Sequence, residues 1–320
     1  MSDTRIESTA AAPSAARPSA GARPVAVGPA AFYADGYRLA ADLYLPADRG
    51  AGERLPAIVL CHGFGGLRGF WFPDFARFFA SGGYAVLAFD HRGIGDSEGP
   101  RLSLDPFGQV ADIRAALSFL ETRDEVAADR MGLYGISYGG GNAVYAAAVD
   151  PRVTATVGVV GYGDGARWMK SLRREWEWVA FKKRLAEDHR RRVLTGQGGL
   201  ADTSEILIRD PEAEEHEHEA RARDPKRITR ITLESAEKIL EFKPEAVVRN
   251  IAPRPLFLIG VADDTLVPAE ETLSLHAKAG EPKTLFMFPP IGHHAIYYGA
   301  ELPRLLGMAR DWLDTHLRRG

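Results

Sequence analysis

Apolar residues along this chain fall into short continuous runs separated by stretches with helical periodicity. Runs at 56–61, 84–89, 130–136, 153–160, 255–261 and 283–288 are each long enough for one strand and show no polar alternation. Strands of that kind are buried on both faces, as in a parallel sheet. Between them, 70–80 carries aromatic residues at helical spacing, and 109–122 places Val110, Ile113, Leu117 and Leu120 on one face. An Ala-rich helix is predicted over 139–149, and 300–317 closes the chain as another helix. Ahead of the runs, 25–31 and 37–44 read as two strands turned at Asp35-Gly36, a dipeptide suited to a tight hairpin. Strand and helix alternating over this length predict an α/β architecture with a twisted, mostly parallel sheet flanked by helices.

The alternation breaks once. Residues 165–247 are charged and helical in character, with no β-branched run, and read as a helical cap inserted between two late strands. Trp168, Leu172, Trp176 and Val179 form a stripe there at roughly helical spacing. Such a stripe either packs the cap onto the core or, through Trp168 and Trp176, lines a substrate pocket. Residues 1–24 are rich in Ala, Ser, Pro and Arg, with too few large apolar side chains to offset ordering entropy, and read as a disordered tail. The expected organisation is therefore a tail at 1–24, a core at 25–164 and 248–320, and a cap at 165–247.

Composition narrows the function classes. The 320 residues are 45% apolar and 26% charged with a net charge of −3, ordinary for a globular enzyme and without the basic footprint of a nucleic-acid or membrane-surface binder. No stretch approaches the roughly 18 apolar residues of a membrane span, and the first residues lack the apolar segment of a secretion signal. Cys61 is the single cysteine, so no intrachain disulfide forms. A cytoplasmic location is the default expectation.

The chemistry-bearing signal is Gly135-Ile136-Ser137-Tyr138-Gly139, a G-x-S-x-G pattern between a predicted strand end and a helix start. A turn that tight leaves no room for side chains two residues either side of the serine. It lifts the Ser137 hydroxyl clear of the sheet and aims the Tyr138 amide at a developing oxyanion. A second match, Gly95-Asp96-Ser97-Glu98-Gly99, leads into Pro100 with no helix after it and reads as a loop. A serine nucleophile needs a base, and the base needs an orienting acid. Later strands end in Ala262-Asp263-Asp264-Thr265-Leu266-Val267-Pro268 and in Gly292-His293-His294. Spacing alone does not choose between Asp263 and Asp264, and Asp164 is a further candidate. Gly292 gives His293 the freer approach, which leaves His294 to the pocket wall. His62-Gly63-Phe64-Gly65-Gly66 supplies a second oxyanion donor in the Phe64 amide, with His62 holding the loop.

Taken together, these segments, with Asp90-His91-Arg92-Gly93 and Asp264-Thr265-Leu266-Val267-Pro268, resemble the α/β-hydrolase superfamily from about residue 25 to the C-terminus. That resemblance implies an acid four residues before the proline, which maps onto Asp264. His293-His294-Ala295-Ile296-Tyr297-Tyr298-Gly299 is similar to the ending of a branch that includes dienelactone-hydrolase-like esterases, X-Pro dipeptidyl-peptidase-like acylases and fungal polyketide transferases. Asp105-Pro106 followed by a helix bearing Asp112 also resembles that branch.

The expectation is a serine hydrolase acting on a small-molecule acyl substrate: an ester first, then a thioester or amide. Its catalytic residues are Ser137, His293 and Asp264, its oxyanion donors Phe64 and Tyr138, and its pocket residues Trp168, Trp176 and His294. This chemistry calls for no metal or organic cofactor. His216 and His218 are two apart on a helix and do not share a face, which argues against a metal pair. Arg167, Arg173 and Arg174 read as a solvated face, with carboxylate binding as the alternative. The protein partner expected is a second copy of the chain, in a homodimer through the cap. An acyltransferase, a C–C bond hydrolase and a non-catalytic receptor on the same fold are the rival readings.

Overall fold

The computed structural model describes residues 23–318. Most of the expected N-terminal tail lies outside them. Arg23 and Pro24 belong to the folded part, where Arg23 pairs with Asp48 at 2.6 Å and with Glu53 at 3.1 Å.

An eight-stranded sheet forms the centre, built from β1 (Val25–Ala34), β2 (Tyr37–Pro46), β3 (Leu55–Cys61), β4 (Ala85–Phe89), β5 (Val126–Ile136), β6 (Val153–Val159), β9 (Leu256–Val261) and β10 (Lys283–Phe288). Their spatial order is β1-β2-β4-β3-β5-β6-β9-β10. The first two junctions, β1–β2 and β2–β4, are antiparallel and the rest parallel. Asp35 and Gly36 both take positive φ, 50° and 84°, as the tight hairpin between β1 and β2 requires.

The apolar runs sit where the sheet is covered on both faces, except that 283–288 forms the edge strand β10, in which only Phe288 is buried. All seven residues of β3 are buried, and they alternate. Leu55, Ala57, Val59 and Cys61 face the layer formed by α2 (Pro106–Glu121) and α3 (Tyr138–Val149), whereas Ile58 and Leu60 face α1 (Phe72–Ser81) and α11 (Leu302–Leu317). The helix expected from residue 109 starts earlier, because Asp105 caps it through the Phe107 amide at 3.0 Å and Pro106 occupies its first position.

The segment between β6 and β9 holds α4 (Gly165–Ser171), α5 (Glu175–Thr195), α6 (Thr203–Ile206), α7 (Pro211–Arg223), α8 (Leu233–Glu241) and α9 (Pro244–Val247); α10 (Ala269–Lys278) follows β9. Two features differ from the sequence expectation. Strands β7 (Leu200–Asp202) and β8 (Arg230–Thr232) pair antiparallel within the segment, at three residues each too short to leave a periodic signal. The Trp168-to-Val179 stripe also falls on two helices, because Arg174 is extended at φ −65°, ψ 156° between α4 and α5.

Candidate active site

β5 delivers the chain to Ser137, and α3 begins at the next residue. Ser137 adopts φ 53°, ψ −123°, a conformation non-glycine residues rarely occupy and one held only where the surroundings over-determine it. The flanking glycines explain how. A β carbon on Gly135 would lie 2.2 Å from the Gly139 carbonyl oxygen, and one on Gly139 would lie 2.2 Å from the Cys61 carbonyl oxygen. Backbone therefore packs on backbone from both sides, and only the serine side chain has space.

Two loops at the ends of β9 and β10 converge on that hydroxyl. The Asp264 carboxylate accepts from the Leu266 and Val267 amides at 2.8 and 2.9 Å through one oxygen. Its other oxygen accepts from His293 Nδ1 at 2.7 Å. His293 Nε2 then lies 3.0 Å from Ser137 Oγ, the hydroxyl donating. Asp263 points to solvent, and Asp164 caps α4 through the Ala166 and Arg167 amides at 2.8 and 3.0 Å. The structure thus brings Asp264, His293 and Ser137 into one chain and leaves the two other aspartates out of it.

The loop after β3 closes over the same spot. A β carbon on Gly63 would be 3.4 Å from Ser137 Cβ, so the Phe64 segment abuts the hydroxyl. Among the described residues, neither the Phe64 nor the Tyr138 amide donates to another group, and Tyr138, as the first residue of α3, has no intrahelical acceptor. His62 Nδ1 donates to the Gly63 carbonyl at 3.1 Å, and burial pushes its imidazole down to about 3. A buried ionic lattice props this loop from behind. Asp112 holds the Arg92 guanidinium at 2.7 Å and the Arg92 amide at 3.0 Å. Asp90 accepts from the Arg68 amide at 2.8 Å and from the Arg68 guanidinium. Ser97 is locked in the same lattice, donating to the Asp90 carbonyl at 2.6 Å and accepting from the Ala40 amide at 2.9 Å.

Ser137 and His293 open into a narrow cavity of about 50 Å³. His294 is among the residues that line it; its ring stacks on His216 with centroids 4.5 Å apart, and burial first, then the neighbouring histidines and arginines, hold its pKa well below the ordinary value. The two tryptophans expected there do not line it. Trp168 is buried beneath, its indole N–H donating to the Leu266 carbonyl at 2.7 Å, so it steadies the loop that carries Asp264. Trp176 is 66% exposed on α5, because the break between α4 and α5 turns it outward. The arginine expectation divides as well. Arg167 pairs with Glu271 at 2.7 Å and Glu245 at 2.8 Å, and Arg173 lies against Phe181 and donates to the Met169, Glu205 and Ile206 carbonyls. Arg174 alone is solvated.

Sequence reasoning missed the residues that close the cavity: Trp71, Leu207, Arg209, Glu217 and Arg227. On α7 the inward residues are Ala213, Glu217 and Ala220, with His216 beside them and His218 exposed. That stripe is too polar for a hydrophobicity pattern to reveal. The available signal was Glu217 with Arg221 one turn on, flanked by Arg209 and Arg227.

Comparison with known proteins places the chain. A family model described as serine aminopeptidase, S33, matches residues 52–297. An uncharacterized 31.7 kDa protein of Escherichia coli is 30% identical over 263 residues, 82% of this chain and 91% of that one. A protein of Aspergillus aculeatus named thiohydrolase aneE is 26% identical over 277 residues, covering 83% of this chain and 86% of its own. The crystal structure of hypothetical protein PA2218 from Pseudomonas aeruginosa superposes with a TM-score of 0.78 at 28% identity, covering 93% of this chain and 95% of that one.

Proposed function

This chain belongs to the serine aminopeptidase S33 family of α/β-hydrolases, and on that footing we propose that it cleaves a carboxylic ester or thioester of a small molecule through an acyl-enzyme on Ser137. The observation that carries the reading is the hydrogen-bond chain from Asp264 through His293 to Ser137 Oγ, at 2.7 and 3.0 Å, opening into a cavity. His293 takes the Ser137 proton as Oγ attacks the carbonyl. Asp264 keeps the proton on Nδ1, so Nε2 faces the serine, and it stabilises the imidazolium that forms. The Phe64 and Tyr138 amides donate to the oxyanion; one such donor is worth about 3 kcal/mol in comparable sites. His293 then protonates the leaving group, and a water activated by the same ring releases the acid. The thiohydrolase name of the Aspergillus relative supports thioesters beside esters.

The test is a panel of ester, thioester, amide and lactone substrates with a fluorophosphonate probe, on wild type and Ser137→Ala. Wild type should be labelled at Ser137 and turn over an ester or thioester. Ser137→Ala should stay folded, lose labelling and lose at least about 10⁴-fold in kcat. Labelling that survives the substitution, or wild type that neither labels nor turns over, would overturn the reading, the second outcome favouring a ligand receptor.

A further inference from the structure

Acyl transfer at Ser137 needs no charge on the opposite wall, yet two guanidiniums are buried there. Arg209 and Arg227 line the cavity with side chains only 4% and 13% exposed, and Glu217 between them is 7% exposed. Arg227 grips the Glu217 carboxylate with Nε at 2.9 Å and Nη2 at 2.6 Å. Arg221 takes the same carboxylate at 3.0 Å and Thr203 Oγ1 at 2.9 Å. Arg209 comes no closer to Glu217 than 4.0 Å; its hydrogen bonds go to Glu214 at 3.2 Å and to Thr203 Oγ1 at 3.4 Å. Three guanidiniums therefore share one buried carboxylate and one half-exposed carboxylate.

The shortfall shows electrostatically. Burial pulls the Arg209 guanidinium below its ordinary value despite Glu217 and Glu214, whereas Arg167, against Glu271 and Glu245, is held above. The rings nearby offer no counter-charge, since an imidazole is neutral or cationic, and burial holds the pKa of both His62 and His294 low. A buried cation that shares its counter-charges with two others is costly, and a carboxylate is the partner whose planar geometry fits a guanidinium fork.

We propose that Arg209 and Arg227 form a subsite for a carboxylate carried on the acyl part of the substrate. The assignment rests on the acyl-transfer reading above. Arg209 is almost sealed from solvent, and the group it would hold is assigned to the portion that stays on Ser137 while the leaving group departs. Leu67, Phe70, Trp71 and Leu207 supply apolar wall for a methylene chain between the two ends. Ile228 packs against Gly65 of the loop after β3, where a β carbon would come within 3.0 Å of it, so the Arg227 segment is held in register with the Phe64 amide.

The experiment compares mono-4-nitrophenyl esters of adipic, pimelic and suberic acid with the same esters whose far carboxylate is capped as a primary amide. Wild type should favour the free acid by about tenfold or more in kcat/KM for at least one length, mainly through KM. Arg209→Gln should erase most of that ratio, and Arg209→Lys should restore part of it. Glu217→Gln, which removes the counter-charge and keeps the cations, should raise the ratio. A purely structural network would move the Arg209 and Glu217 variants the same way. If Glu217→Gln does not fold, the Gln and Lys variants at Arg209 carry the test. Equal turnover of acid and amide by wild type, or a ratio unchanged in Arg209→Gln, would overturn the subsite. Calorimetry on Ser137→Ala with monomethyl suberate separates the two readings. Binding there without turnover in wild type sinks the acyl-transfer reading alone. Absence of binding sinks the subsite.

Discussion

Around Ser137, main chain packs on main chain: β carbons at Gly135 or Gly139 would fall 2.2 Å from carbonyl oxygens, and Asp264 is fixed by two amides of its own loop. Across the cavity, α7 packs through Ala213, Ala220 and the His216 ring, which lies against Trp71 and Tyr298. It is tied by Asp210 to Thr265 and by the adjoining Lys226 to Asp96 at 2.6 Å, and its inward carboxylate is shared among three arginines. The first region has one geometry available to it. The second is a set of long side chains held by shared ion pairs. On the function proposed above, reactivity would reside in the first and discrimination among substrates in the second.

Four experiments break or sharpen that contrast. The largest effect is expected from Asp264→Asn, which keeps the shape of the acid loop but permits the wrong His293 tautomer: kcat should fall by about 10³–10⁴-fold while the melting temperature barely moves, as read by steady-state kinetics beside a thermal melt. A normal kcat would remove Asp264 from the mechanism. Gly139→Ala comes next. Its β carbon meets backbone that cannot yield, so a loss of about 3 kcal/mol or more in denaturant unfolding is expected. A stable variant would mean the turn is softer than described.

Away from the cavity, Glu245 binds Arg167, Lys278 and Ser274. Burial opposes its charge, but those partners outweigh burial and lower its pKa from 4.5 to about 2. A depressed carboxylate stabilises the fold above its unfolded pKa and loses that contribution as pH falls through its folded one. Unfolding curves of wild type and Glu245→Gln should therefore differ at neutral pH and converge between about pH 4.5 and 2. A constant gap over that range would refute the assignment. The smallest effect belongs to Trp176→Ala. An exposed indole away from the cavity should change stability by no more than about 0.5 kcal/mol and kcat/KM by less than about twofold. A large rise in KM would bring Trp176 back as a pocket residue.

The same contrast explains what was legible in the sequence. Hydrophobic runs outline the sheet because strands covered on both faces must be apolar throughout, and Asp35-Gly36 marks its hairpin because few other dipeptides accept two positive φ angles. Ser137 and His293 stand in short segments whose signal is local, glycines at fixed offsets and a histidine after glycine, whereas spacing left Asp264 tied with Asp263 and only the family resemblance separated them. Glu217, Arg209 and Arg227 were not legible, because their partnership spans up to 18 positions and a buried glutamate on a polar helix looks like any solvated one. The tryptophan stripe misled for a related reason. Periodicity continues through Arg174, but the backbone there is extended, and a pattern of spacing carries no record of that break.

One contact described above bears on engineering. Trp168 belongs by sequence to the inserted segment, yet its indole N–H secures the Leu266 carbonyl two residues beyond the acid. Exchanging the roof of this enzyme for that of a relative is thus not a modular operation at the point where the insertion begins. A chimera spliced before Trp168 would inherit a foreign prop under Asp264, whereas one spliced after Met169 would keep its own.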